Sequence, residues 1–217
     1  MLESALVIAP PTQPLLHDDI KLSLRERQKI RRRNRIYQVA ITLFKERGFV
    51  NTTATDIAKT AHVSRGTFFN YYPYKEAVLL DYGAFVVAKM NELVRTRLAE
   101  GVSPEALLEE FWLELGRVTQ EERDLIPALT YELINPDPVR AKAAYEAMPL
   151  AKIIEGLLRD TKKLRSDISL ERISATLAYT FLMTALRWSA FHPNRPVQDE
   201  LRKALTLILD GAYQRSV

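Results

Sequence analysis

The stretch Thr53-Ala54-Thr55-Asp56-Ile57-Ala58-Lys59-Thr60-Ala61-His62-Val63-Ser64-Arg65-Gly66-Thr67-Phe68-Phe69-Asn70-Tyr71-Tyr72 decides the reading of this chain. Thr53, followed three residues later by Asp56, has the form of a capping box with Asp in place of the commoner Glu. The helix it opens carries Ile57, Ala58 and Ala61 on one side and is only about two turns long. Val63-Ser64 interrupts it, and Ser64 is a natural N-cap for a second short helix from Arg65 to about Tyr71. Two short helices joined by a turn of about three or four residues form a helix-turn-helix.

Upstream of this unit, Ile36, Val39, Ala40, Leu43 and Phe44 fall at helical spacing, and Gly48 supplies the stop. Residues 1–22, with Pro10, Pro11 and Pro14 and no sustained period, read as a flexible leader. Downstream, Pro73 separates the unit from a long helix expected from about Lys75 to Leu98. Ser103-Pro104 opens another helix with the stripe Leu108, Phe111, Trp112 and Leu115. Asn135-Pro136-Asp137-Pro138 is a strong break, and Pro149 kinks or divides the helical segment beyond it. Ser169 to Phe191 is apolar on nearly every side, His192 to Pro196 ends it, and a final amphipathic helix covers roughly Val197 to Gln214. No segment alternates long enough for a strand. The expected fold is all-α: an N-terminal three-helix bundle with the helix-turn-helix over 23–74, and a larger helical domain over 75–217.

Composition excludes several kinds of chemistry. The chain of 217 residues has no cysteine, so disulfides, thiolate metal sites and thiol nucleophiles are ruled out. His17, His62 and His192 lack ligand-like spacing, and no histidine–carboxylate–nucleophile set or phosphate-binding glycine loop occurs. No catalytic residue, metal or cofactor is expected. The N-terminal apolar run is too short for a signal peptide, and polar residues interrupt the longest apolar stretch, so the expectation is a cytoplasmic protein without a membrane span. Charge is uneven. Residues 1–80 carry 13 Lys/Arg against 7 Asp/Glu, and residues 81–217 carry 18 against 20, so a polyanionic partner is expected at the N-terminal end alone.

Three features there point to DNA. Lys21, Arg25, Arg27, Lys29, Arg31, Arg32, Arg33 and Arg35 cluster against Glu26 alone, a pattern that attracts phosphates, although a solvated helix face would look the same. The second short helix opens with Ser64-Arg65-Gly66-Thr67: its N-terminus offers free N–H groups, Gly66 permits close backbone approach, and Arg65 and Thr67 are placed to reach base edges. Finally, Phe68, Phe69, Tyr71, Tyr72 and Tyr74 crowd one stretch. Phe68 and Tyr72, four apart, are the expected core pair, while Tyr71 has Asn70 beside it and a hydroxyl suited to phosphate.

The run Phe44 to Phe49, Thr53 to Ala58, Val63 to Tyr72 and Lys75-Glu76-Ala77 resembles the DNA-binding domain of the TetR family of regulators over about fifty residues. The resemblance implies Thr53, Ser64, Arg65, Gly66, Thr67, Asn70, Tyr71 and Lys75 as DNA-contacting positions. Two residues depart from the family pattern. His62 stands where glycine is usual, and Tyr74 stands where a small capping residue is usual. The resemblance also implies a homodimer through the last two helices, a palindromic operator, and a pocket for an unidentified small-molecule effector that releases a repressor. Control of the same build by a partner protein is the alternative.

For the pairing surface, the final helix offers Leu201, Leu205, Ile208, Leu209 and Ala212 at helical spacing. For the pocket, Phe85, Phe111, Trp112, Leu115, Tyr131, Tyr145, Tyr179, Met183 and Trp188 are the candidate lining, each of which ordinary core packing would also explain. Arg187 lies within the apolar helix, where a charge needs a partner: either an anionic ligand head or a carboxylate across the dimer.

Overall fold

The computed structural model describes residues 23–161 and 164–213. Among them the chain forms ten helices and one isolated antiparallel bridge, Leu164 to Tyr213. The leader expected over 1–22 lies outside the described residues, as do His17, Lys21 and Gln214. The chain divides into two compact units, with the boundary between Val86 and Val87.

The N-terminal unit contains α1 (Leu24–Arg47), α2 (Ala54–Thr60), α3 (Arg65–Tyr71) and the first turns of α4 (Ala77–Ala99). Ser23 opens α1 with a complete capping box: its hydroxyl accepts the Glu26 N–H at 3.3 Å, and the Glu26 carboxylate accepts the Ser23 N–H at 2.8 Å. The helix ends at Gly48, whose φ of 84° is open to glycine and strained for most other residues. The buried stripe of α1 is Ile36, Tyr37, Ala40, Ile41, Leu43 and Phe44. It is wider than expected and rotated towards Tyr37 and Ile41, leaving Val39 half-buried. Phe44 meets Phe49 edge-on at 4.9 Å, and Phe68 and Tyr72 are both buried with ring centroids 5.9 Å apart. Burying a phenylalanine such as Phe68 contributes about 1.5–3 kcal/mol, which two-turn helices need because they cannot stand alone. α4 begins at Ala77 rather than Lys75. Its start is closed by backbone bonds spanning three residues, from Ala77 N–H to Tyr74 O (3.2 Å) through Leu79 N–H to Glu76 O (2.8 Å). Its buried Val78, Leu79 and Tyr82 belong to the N-terminal unit.

The second unit holds the rest of α4, then α5 (Pro104–Glu121), α6 (Ile126–Leu133), α7 (Pro138–Ala147), α8 (Leu150–Leu158), α9 (Leu170–Phe191) and α10 (Val197–Ala212). Ser103, Asp137 and Ser169 cap α5, α7 and α9 with side-chain hydrogen bonds. α10 lies close against α5: a Cβ on Gly116 would fall 2.6 Å from Leu201 Cδ1, and the Trp112 indole donates to Leu201 O at 2.8 Å. Wholly buried Glu132 of α6 receives two donors from Arg140 of α7, with Nε at 3.1 Å. Such a pair ties the helices together because separating it would leave a carboxylate unpaired in the interior.

Two expectations are corrected by this packing. Leu201, Leu205 and Ala212 of α10 do not face outward for pairing; they are buried within the same chain, where α5 and α9 satisfy them. Nor is α9 apolar all round. Ile173, Leu177, Ala178, Phe181, Ala185 and Trp188 face inward, while Tyr179, Met183, Arg187 and Phe191 are exposed. Tyr179, Met183 and Phe191 give that outward face an apolar body, which is why the run read as apolar on nearly every side, while the threonines at 176, 180 and 184 share the face with them. No helix among the described residues is long and apolar enough to cross a membrane.

Candidate nucleic-acid interface

The helix-turn-helix is held by its caps. The Thr53 hydroxyl accepts the Asp56 N–H at 3.1 Å, and the Asp56 carboxylate accepts the Thr53 N–H at 2.9 Å. The Thr53 hydroxyl, which donates to that carboxylate at 2.5 Å, and secondly the Thr53 N–H hold the Asp56 carboxyl below the usual aspartate range. The turn to α3 passes through His62 at φ 53°, the single non-glycine residue with positive φ among those described. Histidine adopts this left-handed conformation at less cost than a β-branched residue, so the turn forms without the expected glycine. Ser64 then caps α3: its Oγ accepts the Thr67 N–H at 3.0 Å and lies 2.8 Å from the Thr67 hydroxyl.

With Phe68 and Tyr72 turned inward, the opposite side of α3 presents Arg65, Gly66, Phe69 and Asn70 to solvent. Thr53 and Ser64 are also exposed, and Thr67 and Tyr71 are half-buried at the edge of that face. The Arg65 guanidinium lies 5.5 Å from the Phe69 ring centroid, a cation–π contact along the helix that limits where the arginine can point. Phe69 was not among the expected contacts, yet it is 37% exposed on this face. Its spacing of four from Arg65 was the signal that could have found it.

Two of the cations expected to face phosphate are engaged inside the domain. The Lys75 ammonium donates to Phe49 O at 2.7 Å and sits 4.0 Å from the Phe49 ring centroid. Burial pulls its pKa down, against a smaller upward pull from Glu76. Arg33 donates from Nη2 to Asp81 Oδ1 at 2.8 Å. The Arg33 side chain keeps 51% of its surface exposed, and Arg25, Arg27, Lys29, Arg31, Arg32 and Arg35 of α1 are exposed as well.

In the second unit the candidate pocket residues separate into two groups. Phe111, Trp112, Leu115 and Trp188 are buried and closely packed; Trp112 meets Phe181 edge-on at 5.4 Å, and the Trp188 indole donates to Arg195 O at 2.7 Å. Tyr131, Tyr145, Tyr179 and Met183 are exposed. Burial first and the neighbouring Tyr179 second raise the pKa of Tyr145, so the two phenols stand together. Tyr179, Met183 and Arg187 line a shallow groove with Lys203, Ala204 and Leu207 of α10. Phe85 lies in the N-terminal unit, half-buried. Arg187 is corrected from the expected buried charge: its side chain is 62% exposed, and Glu200 of the same chain lies 3.9 Å away, a loose surface pair. Among the described residues no group of three or more acidic or histidine side chains could hold a metal ion.

Comparison with known proteins places both units. Residues 36–82 match the family of bacterial regulatory proteins of the tetR type, and residues 84–211 match the C-terminal domain of TetR/AcrR family transcriptional repressors. The chain is 52% identical to Thermus thermophilus FadR, a TetR-family repressor solved in complex with lauroyl-CoA; the match covers 85% of this chain and 97% of that one, with a TM-score of 0.80. The HTH-type transcriptional repressor KstR2 of Rhodococcus jostii is 26% identical over 196 residues, covering 83% of this chain and 90% of that protein. A regulator of Bacillus subtilis, YuxN, is 28% identical over 103 residues; there the match spans 48% of this chain and about a third (34%) of the relative's length.

Proposed function

Because the chain belongs to the TetR family of transcriptional regulators, we propose that it is a homodimeric repressor released from a palindromic operator by a long-chain acyl-CoA thioester. The observation that carries the DNA-binding part is the capped α3, which turns Arg65, Gly66, Phe69 and Asn70 outward together on a rigid base. Arg65 is the residue suited to a bidentate contact with guanine, and Thr67 and Asn70 suit hydrogen bonds to neighbouring base edges. Thr53, Ser64 and Tyr71 surround them as phosphate contacts, and the exposed arginines of α1 add charge that does not depend on sequence.

Two copies are needed because one α3 covers only half of a palindrome, with half-sites about one DNA turn apart. The outward face of α9 and α10, with Tyr179, Met183, Lys203 and Leu207 exposed, is the surface assigned to pairing. For the effector, the support is the 52% identity with a repressor that binds lauroyl-CoA. Phe111, Trp112, Leu115 and Trp188 then form the packed interior beside which the acyl chain enters, with Tyr131 and Tyr145 nearer its opening. Release follows when the thioester binds the DNA-incompetent geometry more tightly, since a ligand shifts an equilibrium only by its differential affinity.

The test is selection of duplexes from a random pool, followed by anisotropy titration of the enriched site with lauroyl-CoA, coenzyme A and laurate. A palindrome released by lauroyl-CoA alone supports the whole reading. Release by none of the three, with no thermal shift, removes the acyl-CoA effector and leaves control by a partner protein. An absence of sequence enrichment would remove the regulator reading itself.

A further inference from the structure

Arg33 belongs by sequence to the basic cluster of α1, yet its contacts set it apart. Its Nη2 donates to Asp81 Oδ1 at 2.8 Å, and the other carboxylate oxygen of Asp81 accepts the Tyr72 hydroxyl at 2.7 Å. The guanidinium also lies over the Tyr72 ring, 5.5 Å from its centroid. One carboxylate of α4 therefore holds a residue of α1 and the residue at which α3 ends. Tyr72 is the C-cap of α3, its N–H bonded to Phe68 O at 2.9 Å, and only 2% of it is exposed.

A seven-residue helix has too few hydrogen bonds of its own to fix its direction. Its orientation is set at its two ends, by Ser64 at the first and by Tyr72 at the second. A hydroxyl bonded to a carboxylate defines that second end more sharply than ring packing does, because hydrogen bonds to charged groups are directional and strong. Arg33 completes the arrangement by neutralising Asp81 where the site is half-buried. Burial works against the guanidinium charge, but Asp81 and Tyr72 outweigh it, and its pKa rises. The Tyr72 phenol is pushed up by burial and then by Asp81, so it stays the donor.

We propose that Asp81 is a positioning residue for DNA reading: through Tyr72 it fixes the angle of α3, and through Arg33 it withdraws one arginine from the phosphate-binding set. This rests on the regulator reading above and names residues that carry specificity without touching DNA.

The full-length chain with Tyr72→Phe, Asp81→Asn or Arg33→Gln is titrated with its selected operator and with a scrambled duplex at three salt concentrations, beside Arg31→Gln. Tyr72→Phe is expected to weaken operator binding about tenfold, the worth of one hydrogen bond to a charged group, with scrambled-duplex affinity and salt slope unchanged. Asp81→Asn should lower the operator-to-scrambled ratio by the same factor but, by releasing Arg33, raise the slope by up to about 1. The double variant should be no worse than the weaker single, as for two partners in one contact. Arg33→Gln should likewise lower the operator-to-scrambled ratio with the slope kept, whereas Arg31→Gln lowers the slope by about 1. An unchanged ratio with a lower thermal midpoint would make the contact purely structural and overturn the proposal. So would a slope loss for Arg33→Gln equal to that of Arg31→Gln. Should Asp81→Asn fail to fold, the isosteric Tyr72→Phe decides alone. A wild-type chain with no operator defeats the regulator reading, whereas an operator bound equally by all variants defeats only the positioning role.

Discussion

The two units of this chain carry their chemistry in opposite ways. In the N-terminal unit the candidate contacts lie within about twenty residues of sequence, on two short helices whose caps are themselves local. In the second unit the candidate ligand residues come from α5, α6, α7 and α9, and whether each faces a cavity, the core or solvent depends on what packs against it. A surface that reads a polyanion can be written in neighbouring residues, because charge and exposure are local properties. A cavity cannot, because its walls are defined by the absence of packing between distant segments.

That contrast makes predictions of graded size. Trp112→Ala in the second unit should cost about 3–5 kcal/mol in urea denaturation, since it removes a fully buried ring and the bond to Leu201 O. A loss under about 1 kcal/mol would mean that Trp112 borders an opening rather than filling the core. Arg65→Ala should weaken operator binding by about 1–3 kcal/mol at fixed salt, with dimerisation, ligand response and thermal midpoint retained. A change in dimerisation or ligand response would show that reading and sensing are less separable than the two units suggest.

Smaller effects test the caps. Thr53→Ala should lower stability by about 1 kcal/mol, because it removes the acceptor for the Asp56 N–H. The carboxyls of Glu26 and Asp56 are both held below their ordinary values by capping hydrogen bonds. Their stabilisation is therefore complete above the unfolded carboxylate pKa of about 4 and is lost as pH falls through the lower folded values. Helical circular dichroism of the wild type should fall in that acid window, and Asp56→Asn should flatten part of the change. Smallest of all, His62→Gly should raise stability by about 0.5 kcal/mol, the relief of a left-handed backbone less the entropy glycine adds to the unfolded chain. A loss would mean that the imidazole makes a contact that offsets its strain.

Legibility divides along the same line. Ser64 as N-cap, α3 over Arg65–Tyr71, the Thr53–Asp56 box, the Phe68–Tyr72 pair and the strained turn at His62 were all readable, because each depends on residues at most four apart. The outward role of Phe69 was signalled by its spacing from Arg65, but an aromatic taken singly reads as core, and that general tendency hid it. Asp81 could not have been found at all: nothing near it in sequence shows that it meets Arg33, 48 residues earlier.

By itself, then, the sequence determined the helices, their caps, the helix-turn-helix and the placement of basic charge, since these arise from backbone geometry and side-chain type within one or two turns. Tertiary structure alone decided which contacts those cations make within the domain: it turned Lys75 onto Phe49 and Arg33 onto Asp81. It also decided that Leu201 and Leu205 are buried within the chain while Leu207 faces outward, and that Arg187 stands in solvent. The reason is physical. An apolar stripe or a cationic tip states what a residue can bind, but only the position of a partner from a distant segment determines whether it is already bound.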